Sequence, residues 1–156
     1  MRSSRLWWSE EDAMALHQVG ARIEGDVFQG MIFWWHAAML LRPSSRVVRV
    51  TLENDKAAGV DDVSIHYAAP GIDAGGRQCA ADYYQVKYHV DHSTEYASES
   101  FYDPSFINAT RSLLQRFHDA RSRLGDADGW HRLHLISNWR WSAIDKLGPI
   151  LRLSDE

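Results

Sequence analysis

The order in which helical and strand-like patterns follow one another constrains the fold of this chain more than any single motif. Apolar residues recur at helical spacing up to about position 41 and again around position 115, whereas β-branched and alternating patterns fill the remaining segments. The sequence predicts helices over residues 9–23, 26–41, 104–124 and 142–151, and strands over residues 46–53, 60–67, 82–90 and 130–139. Residues 68–81 contain three glycines and a proline, and we predict a mobile loop there.

This order, a helical region, three strands, a helix and a further strand, predicts a single mixed α/β domain. A chain of 156 residues with 45% hydrophobic residues can bury one core and is too short for several domains. Because the last strand follows a helical crossover, we expect it to join the sheet parallel to a neighbouring strand. No internal repeat or low-complexity tract favours another architecture.

Charge, cysteine content and hydropathy exclude several classes of protein. The formal net charge of −4 excludes a chain that binds nucleic acid through overall charge alone, although a local basic groove stays compatible with it. Cys79 is the only cysteine, so no internal disulfide is expected, and no Cys/His cluster has zinc-finger spacing. The most apolar stretch, residues 31–41, is about half as long as a membrane-spanning helix. With no signal-peptide pattern at the start, the prediction is a cytoplasmic protein without a membrane segment.

Three polar residues on two neighbouring predicted strands are the first candidates for chemistry. Gln85 and Lys87 lie two residues apart on one strand, so both side chains leave the same face. Asp62 lies at the start of the preceding strand, where its carboxylate can converge with them. An acid and an amide or carbonyl oxygen can hold a hard divalent cation. A lysine beside that ion can orient or deprotonate water, or stabilise charge on a phosphate. Lysine is scarce in this chain, with three lysines against 14 arginines.

The pattern formed by Glu53, seven further residues, Asp61-Asp62-Val63, a hairpin loop and Gln85-Val86-Lys87 resembles the PD-(D/E)xK nuclease superfamily. It is similar in particular to the Cap4-type double-stranded DNA endonuclease domain of bacterial anti-phage effectors. Residues 25–29 resemble the element that opens the first core helix of that group, and residues 134–139 resemble its late strand. The resemblance covers roughly residues 20–152. It implies a restriction-endonuclease-like fold, a mixed sheet flanked by helices in the order α-β-β-β-α-β.

The resemblance also implies a metal site and a role for each candidate residue. The implied ion is Mg²⁺, with Mn²⁺ as a substitute, held by Asp62, by Gln85 and by a second carboxylate from either Glu53 or Glu24. Lys87 is implied to position the attacking water and to stabilise charge on the phosphate, so Asp62, Gln85 and Lys87 form the catalytic set. Gln85 stands where the family more commonly has an acid, and activity that is weak or conditional on assembly is therefore expected.

Each candidate also has a purely structural interpretation. Asp62 can cap the turn after Gly59, Gln85 can form a cross-strand hydrogen bond, and Lys87 can be an exposed strand lysine. Gln29, one turn into the core helix, either faces the cleft or forms a hydrogen bond in the interior. The arginines of the helix 104–124 either contact phosphates or form a solvated face: Arg111, Arg116, Arg121 and Arg123.

By resemblance, the expected function is metal-dependent hydrolysis of double-stranded DNA with little sequence specificity, in bacterial anti-phage defence. Residues 1–156 would form one nuclease-like domain at the N-terminal end of a longer protein, working as a homo-oligomer with a sensor or assembly domain of that protein. Two alternatives stay open. One is a degenerate nuclease fold that serves as an assembly module, and the other is a nuclease acting on RNA or single strands.

Overall fold

A computed structural model describes residues 9–72, 76–125 and 130–147. The chain forms strands β1 (Val47–Leu52), β2 (Val63–Ile72), β3 (Gln78–Lys87) and β4 (Trp130–Ser137). These make one sheet in the order β1-β2-β3-β4, with the first two pairings antiparallel and the β3–β4 pairing parallel. The mixed α/β class and the parallel joining of the last strand are therefore confirmed.

In the described part of the chain, three α-helices accompany the sheet: α1 (Glu10–Ala37), α2 (Glu99–Tyr102) and α3 (Leu113–Leu124). Capping boxes start both long helices, with Ser9 and Asp12 at α1 and Ser112 and Gln115 at α3. Short 3₁₀ turns cover Ala38–Leu41, Asp55–Ala57 and Pro104–Ile107. Within the described ranges, no helix combines the length and the apolar character needed to cross a membrane.

The two faces of the sheet carry different helices. On the α1 face, His36 stacks near Tyr84 at a ring-centroid distance of 5.0 Å, and Phe28 lies 5.6 Å from Tyr88. The α3 face carries the hydrophobic core. Its buried members are Ala57, Val60, Ala81, Tyr83 and Ala120, with Phe117, Leu124 and Leu133 packed against them. Because side chains alternate along a strand, β3 presents Gln85 and Lys87 to the α3 face and Tyr84 and Tyr88 to the α1 face.

The predicted break between two N-terminal helices is wrong, because α1 runs without interruption from Glu10 to Ala37. The prediction ended one helix at about residue 23 and began the next at about residue 26. Gly25 instead lies where the helix passes β3, and a Cβ built there would be 3.9 Å from the Cβ of Tyr88, an ordinary van der Waals distance. The continuous helix therefore tolerates Gly25, and its packing against β3 does not require a glycine.

The predicted mobile loop over residues 68–81 is also largely wrong. β2 continues to Ile72 and β3 begins at Gln78, so strands cover most of this segment, and residues 73–75 lie outside the described part. The pairing is irregular between His66 and Gly71 and then resumes as Gly71 with Cys79. A Cβ at Gly71 would meet the guanidinium of Arg46, whose flexible side chain would have to move aside.

The stretch between β3 and β4 corrects the predicted element order. The sequence predicted one helix over residues 104–124, but α3 starts only at Leu113, after a 3₁₀ turn that ends at Asn108 with a left-handed φ of 49°. The additional short helix α2 precedes that turn, so the order is not α-β-β-β-α-β. Residues 142–147 form turns rather than the start of the predicted last helix, and residues 148–151 lie outside the described part.

Candidate functional site

The pairing of β2 with β3 brings Asp62 to Gln85. Val63 pairs with Tyr84 in the antiparallel register, so Asp62, one residue earlier, lies opposite Gln85. The Asp62 Oδ2 accepts a hydrogen bond from the Gln85 amide and one of 2.6 Å from the backbone N–H of Val86. The sheet register, rather than a loop, therefore fixes the carboxylate in place.

Lys87 completes the same corner of the sheet. It is the last residue of β3, two residues after Gln85, and its side chain is partly buried on the α3 face. Burial lowers the pKa of Lys87, the charge of Asp62 opposes that shift, and Arg116 of α3 reinforces it. Burial likewise raises the pKa of Asp62, against the Val86 hydrogen bond and the charge of Lys87. These mutual effects place an acid, a lysine and an arginine in one electrostatic neighbourhood.

The geometry separates Asp62 from its neighbour Asp61. Asp61 Oδ1 accepts a hydrogen bond of 3.0 Å from the backbone N–H of Gly59, so Asp61 stabilises the turn before β2. The turn-capping interpretation considered for Asp62 therefore describes Asp61. Asp62 instead contacts β3, and Gln29 of α1 donates a hydrogen bond of 3.3 Å to its carbonyl oxygen. Gln29 thus fixes the backbone of Asp62 from the α1 face.

Two oxygens at this corner suit a hard cation. Gln85 is 2% exposed, and its Oε1 has no hydrogen-bond partner among the described residues, which is costly for a buried polar atom. Both hydrogen bonds to the Asp62 carboxylate reach Oδ2, and no described residue donates to Oδ1. Mg²⁺ and Mn²⁺ prefer such oxygen ligands. The donor chemistry fits a divalent ion held by Asp62 and Gln85, with water completing its shell.

The second metal-binding carboxylate, expected from Glu53 or Glu24, does not form a ligand cluster with Asp62 in the described residues. Within the described ranges, no group of three or more His, Cys, Asp or Glu side chains is placed to hold a metal ion. The amide of Glu53 donates to the Asp62 carbonyl at 3.0 Å, but Glu53 has a φ of 51°, and its side chain is exposed. Glu24 forms a hydrogen bond with the hydroxyl of Tyr88 on the α1 face, whereas Lys87 lies on the α3 face. The choice between Glu53 and Glu24 stays a prediction.

A second buried carboxylate, which the sequence analysis missed, lies on the other face of the sheet. Asp82 is 1% exposed and receives hydrogen bonds from Arg132 at 2.5 and 2.6 Å, as well as from the hydroxyl of Tyr67. His134 Nε2 lies 3.0 Å from it. Burial alone would raise the pKa of Asp82, but the hydrogen bonds from His134, Arg132 and Tyr67 hold it well below its usual range.

The sequence contains a pattern from which this Asp82 network could have been predicted. Arg132 and His134 are two residues apart on a strand, so they share a face, and Asp82 pairs directly with Arg132 in the parallel register. The prediction used the β2–β3 register and not the β3–β4 register, because the position of the last strand in the sheet could not be inferred from spacing alone.

The fold and this corner define a class, a mixed α/β domain with an acid, an amide and a lysine converging where β2 begins and β3 ends. No model of a known protein family matches the chain. The chain is 35% identical over 133 residues to CD-NTase-associated protein 4 (Cap4) of Enterobacter hormaechei subsp. hoffmannii strain UCI 50. The matched segment is 84% of this chain but 26% of that relative, so the chain spans about a quarter of the relative's length.

Proposed function

We propose that this domain is a metal-dependent nuclease that hydrolyses double-stranded DNA with little sequence specificity. The observation that carries the proposal is the corner formed by Asp62, Gln85 and Lys87, in which the buried Gln85 Oε1 has no partner among the described residues. The similarity of most of the chain to CD-NTase-associated protein 4 supports a role in bacterial anti-phage defence.

The roles of the residues follow from their surroundings. A bound Mg²⁺ would supply Lewis acidity toward the phosphate and lower the pKa of a bound water. Asp62 and Gln85 would hold the ion through Asp62 Oδ1 and Gln85 Oε1, while the Val86 amide fixes the carboxylate through Oδ2. Lys87, whose pKa is lowered by burial, would orient the attacking water and neutralise charge on the phosphate oxygens. The charge of Arg116 also reaches Lys87 and lowers its pKa, so Arg116 would add to the positive field at the phosphate.

The test is cleavage of supercoiled plasmid by the purified chain with Mg²⁺ or Mn²⁺, in wild-type protein and in Lys87→Ala. The expected result is metal-dependent cutting that falls at least about a hundredfold in the variant, because general acid–base and charge-stabilising groups contribute on this scale. Lys146→Ala is the matched control, since Lys146 is exposed and distant in sequence from the corner. It removes the same charge and should cut like the wild type.

Cutting that survives Lys87→Ala would contradict the proposed site, and equal loss in Lys146→Ala would mean that net charge rather than position matters. Mn²⁺ binding is measured separately by calorimetry on wild type and Asp62→Asn. We expect binding by the wild type alone. If neither protein binds Mn²⁺ or cuts plasmid, single-stranded DNA or RNA, the nuclease proposal fails.

The second candidate function is an assembly module that keeps the fold without catalysis. Two observations favour it: the described residues contain no three-acid metal cluster, and α1 exposes a long apolar stripe. The stripe comprises Leu16, Val19, Ile23, Val27, Met31 and Trp34, each more than half exposed. Their spacing of three and four residues puts them on one side of the helix, the pattern that pairs helices. Large exposed apolar patches mark interaction sites, and we propose a second copy of the chain as the partner.

Sedimentation of wild type and of Val27→Lys/Met31→Lys tests this surface. Both residues are exposed, so the substitutions should leave the fold intact while shifting a dimer toward the monomer by at least about tenfold in dissociation constant. A monomeric wild type at high concentration, or a dimer unaffected by both lysines, would contradict self-association through α1.

A further inference from the structure

A basic pocket lies on the α3 face of the sheet, away from the Asp62 corner. Its cavity has a volume of about 520 Å³, within the range of small-ligand sites. Five of its lining side chains carry basic groups: Arg49, Lys56, His66, Arg123 and His131. Apolar and aromatic residues complete the lining, and none of the lining residues is an acid.

The strong cations of this pocket are not neutralised by carboxylates. Among the described residues, Arg49, Lys56 and Arg123 form no ion pair, and Arg123 donates instead to the carbonyl oxygen of Ala58 at 2.9 Å. Three arginines elsewhere in the chain do have acidic partners: Arg111 with Asp119, Arg132 with Asp82, and Arg140 with Glu95. In a chain of net charge −4, three strong cations around one cavity without an ion-pair partner point to an anion from outside the chain.

Nearby acids do not change this conclusion. Glu53 and Asp55 lie in an adjoining depression that also borders Arg49 and Lys56, but neither acid forms an ion pair with these cations. The pKa of His66 is lowered first by burial and then by the charges of Arg49, His131 and Lys56. The potential that reaches His66 is therefore positive, which is the field that an anion would require.

Aromatic rings give the pocket a second chemical character. Tyr83 makes edge-to-face contacts with both His66 and His131, at centroid distances of 5.8 and 5.7 Å, and its ring is 3% exposed. The two imidazoles therefore pack against a buried aromatic ring. Such flat side chains are suited to contact a sugar or a base next to a phosphate.

The basic pocket is distinct from the Asp62 corner but lies on the same face. Tyr83 is the pocket residue nearest the corner on β3, and Gln85 and Lys87 lie two and four residues farther along the strand, which corresponds to about 7–13 Å. On α3, Arg123 at the pocket and Arg116 at the corner are two helical turns apart, about 10 Å. One ligand group cannot occupy both places.

We propose that the basic pocket binds a phosphate group, carried either by a free nucleotide or by a nucleic-acid backbone. Arginine guanidinium groups form paired, charge-assisted hydrogen bonds with phosphate oxygens, and Lys56 adds a point charge at the rim. The exposed positions of Arg49 and Lys56 leave both side chains free to close on the ligand. The proposal does not depend on catalysis at the Asp62 corner.

The test is calorimetric titration of the chain with inorganic phosphate, with dAMP and with a short DNA duplex, all in EDTA so that no divalent ion takes part. The binding variant is Arg49→Ala/Lys56→Ala, whose exposed side chains form no described ion pair, with circular dichroism to verify its fold. The matched control is Arg22→Ala/Lys146→Ala, which removes the same charge from exposed positions elsewhere. Lys87→Ala separates this site from the proposed nuclease site.

Binding of phosphate and dAMP that weakens at least about tenfold in the binding variant, and not in the control or in Lys87→Ala, would establish the pocket and identify a free nucleotide as its ligand. Binding of the duplex alone, with a salt dependence that declines by nearly two counterions in the variant, would identify the backbone instead. No binding of any probe, or equal losses in variant and control, would overturn the proposal.

Discussion

Two aspartates on opposite faces of one sheet, Asp62 and Asp82, show how the same side chain serves different purposes. Asp82 is buried and Asp62 is half-buried, and in both cases burial acts to raise the pKa. At Asp82, an arginine, a tyrosine hydroxyl and a histidine surround the carboxylate, so its pKa falls below the usual value. At Asp62, two neutral donors and the charge of Lys87 do not compensate for burial, so its pKa stays raised.

The difference lies in how completely each charge is satisfied. Asp82 has hydrogen bonds on both oxygens and a bidentate arginine, which leaves no coordination position open. Asp62 binds its donors through one oxygen, beside the unsatisfied Gln85 Oε1. A buried acid with all positions filled stabilises the fold, whereas one with an open oxygen gains stability when a cation arrives. This contrast indicates a structural role for Asp82 and agrees with the proposed catalytic role of Asp62.

Asp82→Asn should cause the largest loss of stability. Removing one member of a buried ion pair typically costs 3–5 kcal/mol. Because the side chain of Arg132 is 38% exposed and keeps some contact with water, we expect a fall of about 3 kcal/mol in the free energy of unfolding. Urea denaturation measures it. Asp119→Asn, which breaks the more exposed pair with Arg111, is the control and should cost less than about 1 kcal/mol. Equal losses of unfolding free energy in the two variants would mean that the Asp82 pair stabilises the fold no more than the exposed Asp119 pair.

The pH dependence of stability should have opposite signs at the two acids. Asp82 has a folded pKa below its unfolded value of about 3.9, so its contribution is present above about pH 4 and is lost as the pH falls further. Asp62 has a raised folded pKa, so its contribution is present below about pH 4 and is lost as the pH rises through the raised pKa. Denaturation between about pH 2 and about pH 7 should therefore show the deficit of Asp82→Asn growing with pH up to about pH 4 and then staying level. The stability of Asp62→Asn relative to wild type should increase over the same range. If the stabilities of the two variants changed with pH in the same direction, the two acids would not have opposite pKa shifts.

Substitutions of the neutral residues that contact the two acids should change the free energy of unfolding by smaller amounts. Tyr67→Phe removes a hydroxyl that donates to Asp82 and should lower the free energy of unfolding by about 1 kcal/mol. Gln85→Met removes a donor to Asp62 but also the buried Oε1 that lacks a partner, so these effects offset and the change should stay below about 1 kcal/mol. Thermal denaturation of both variants at pH 7 measures the difference. A large loss in Gln85→Met alone would mean that Gln85 holds the fold rather than an open coordination site.

Much of the fold followed from local patterns, and the errors have local causes. β1 and β4 lie close to their predicted ranges, since alternation over six to eight residues is an unambiguous signal. The glycines of residues 68–81 misled the prediction, because a glycine inside a strand, as at Gly71, has the same sequence signature as one in a loop. The short helix α2 is only four residues long and has no periodic signal to detect.

The corner could be predicted because its residues lie on consecutive antiparallel strands, where spacing along the chain fixes the register. Asp62 and Gln85 needed only the β2–β3 hairpin to meet. The Asp82 network needed the position of β4, and the basic pocket needed β1, β4 and α3 together, so neither was visible from spacing. Arg116 and Arg123 were named only among four arginines of one helix, because their separate surroundings depend on how α3 lies over the sheet.

The smallest expected change is in the pKa of Lys87, and it tests the corner most directly. The Asp62 charge raises the pKa of Lys87 against the effect of burial, so Asp62→Asn should lower that pKa further. Nitrogen-15 NMR of the Lys87 amino group in wild type and variant measures the shift, and Asp119→Asn, which lies outside the corner, should leave the pKa unchanged. Measuring the pKa of Lys87 in Asp82→Asn gives a further comparison, since Asp82 lies on the α1 face of the sheet and Lys87 on the α3 face. If Asp62→Asn left the pKa of Lys87 unaltered, the two groups would not share one electrostatic environment, and they could not act on one phosphate.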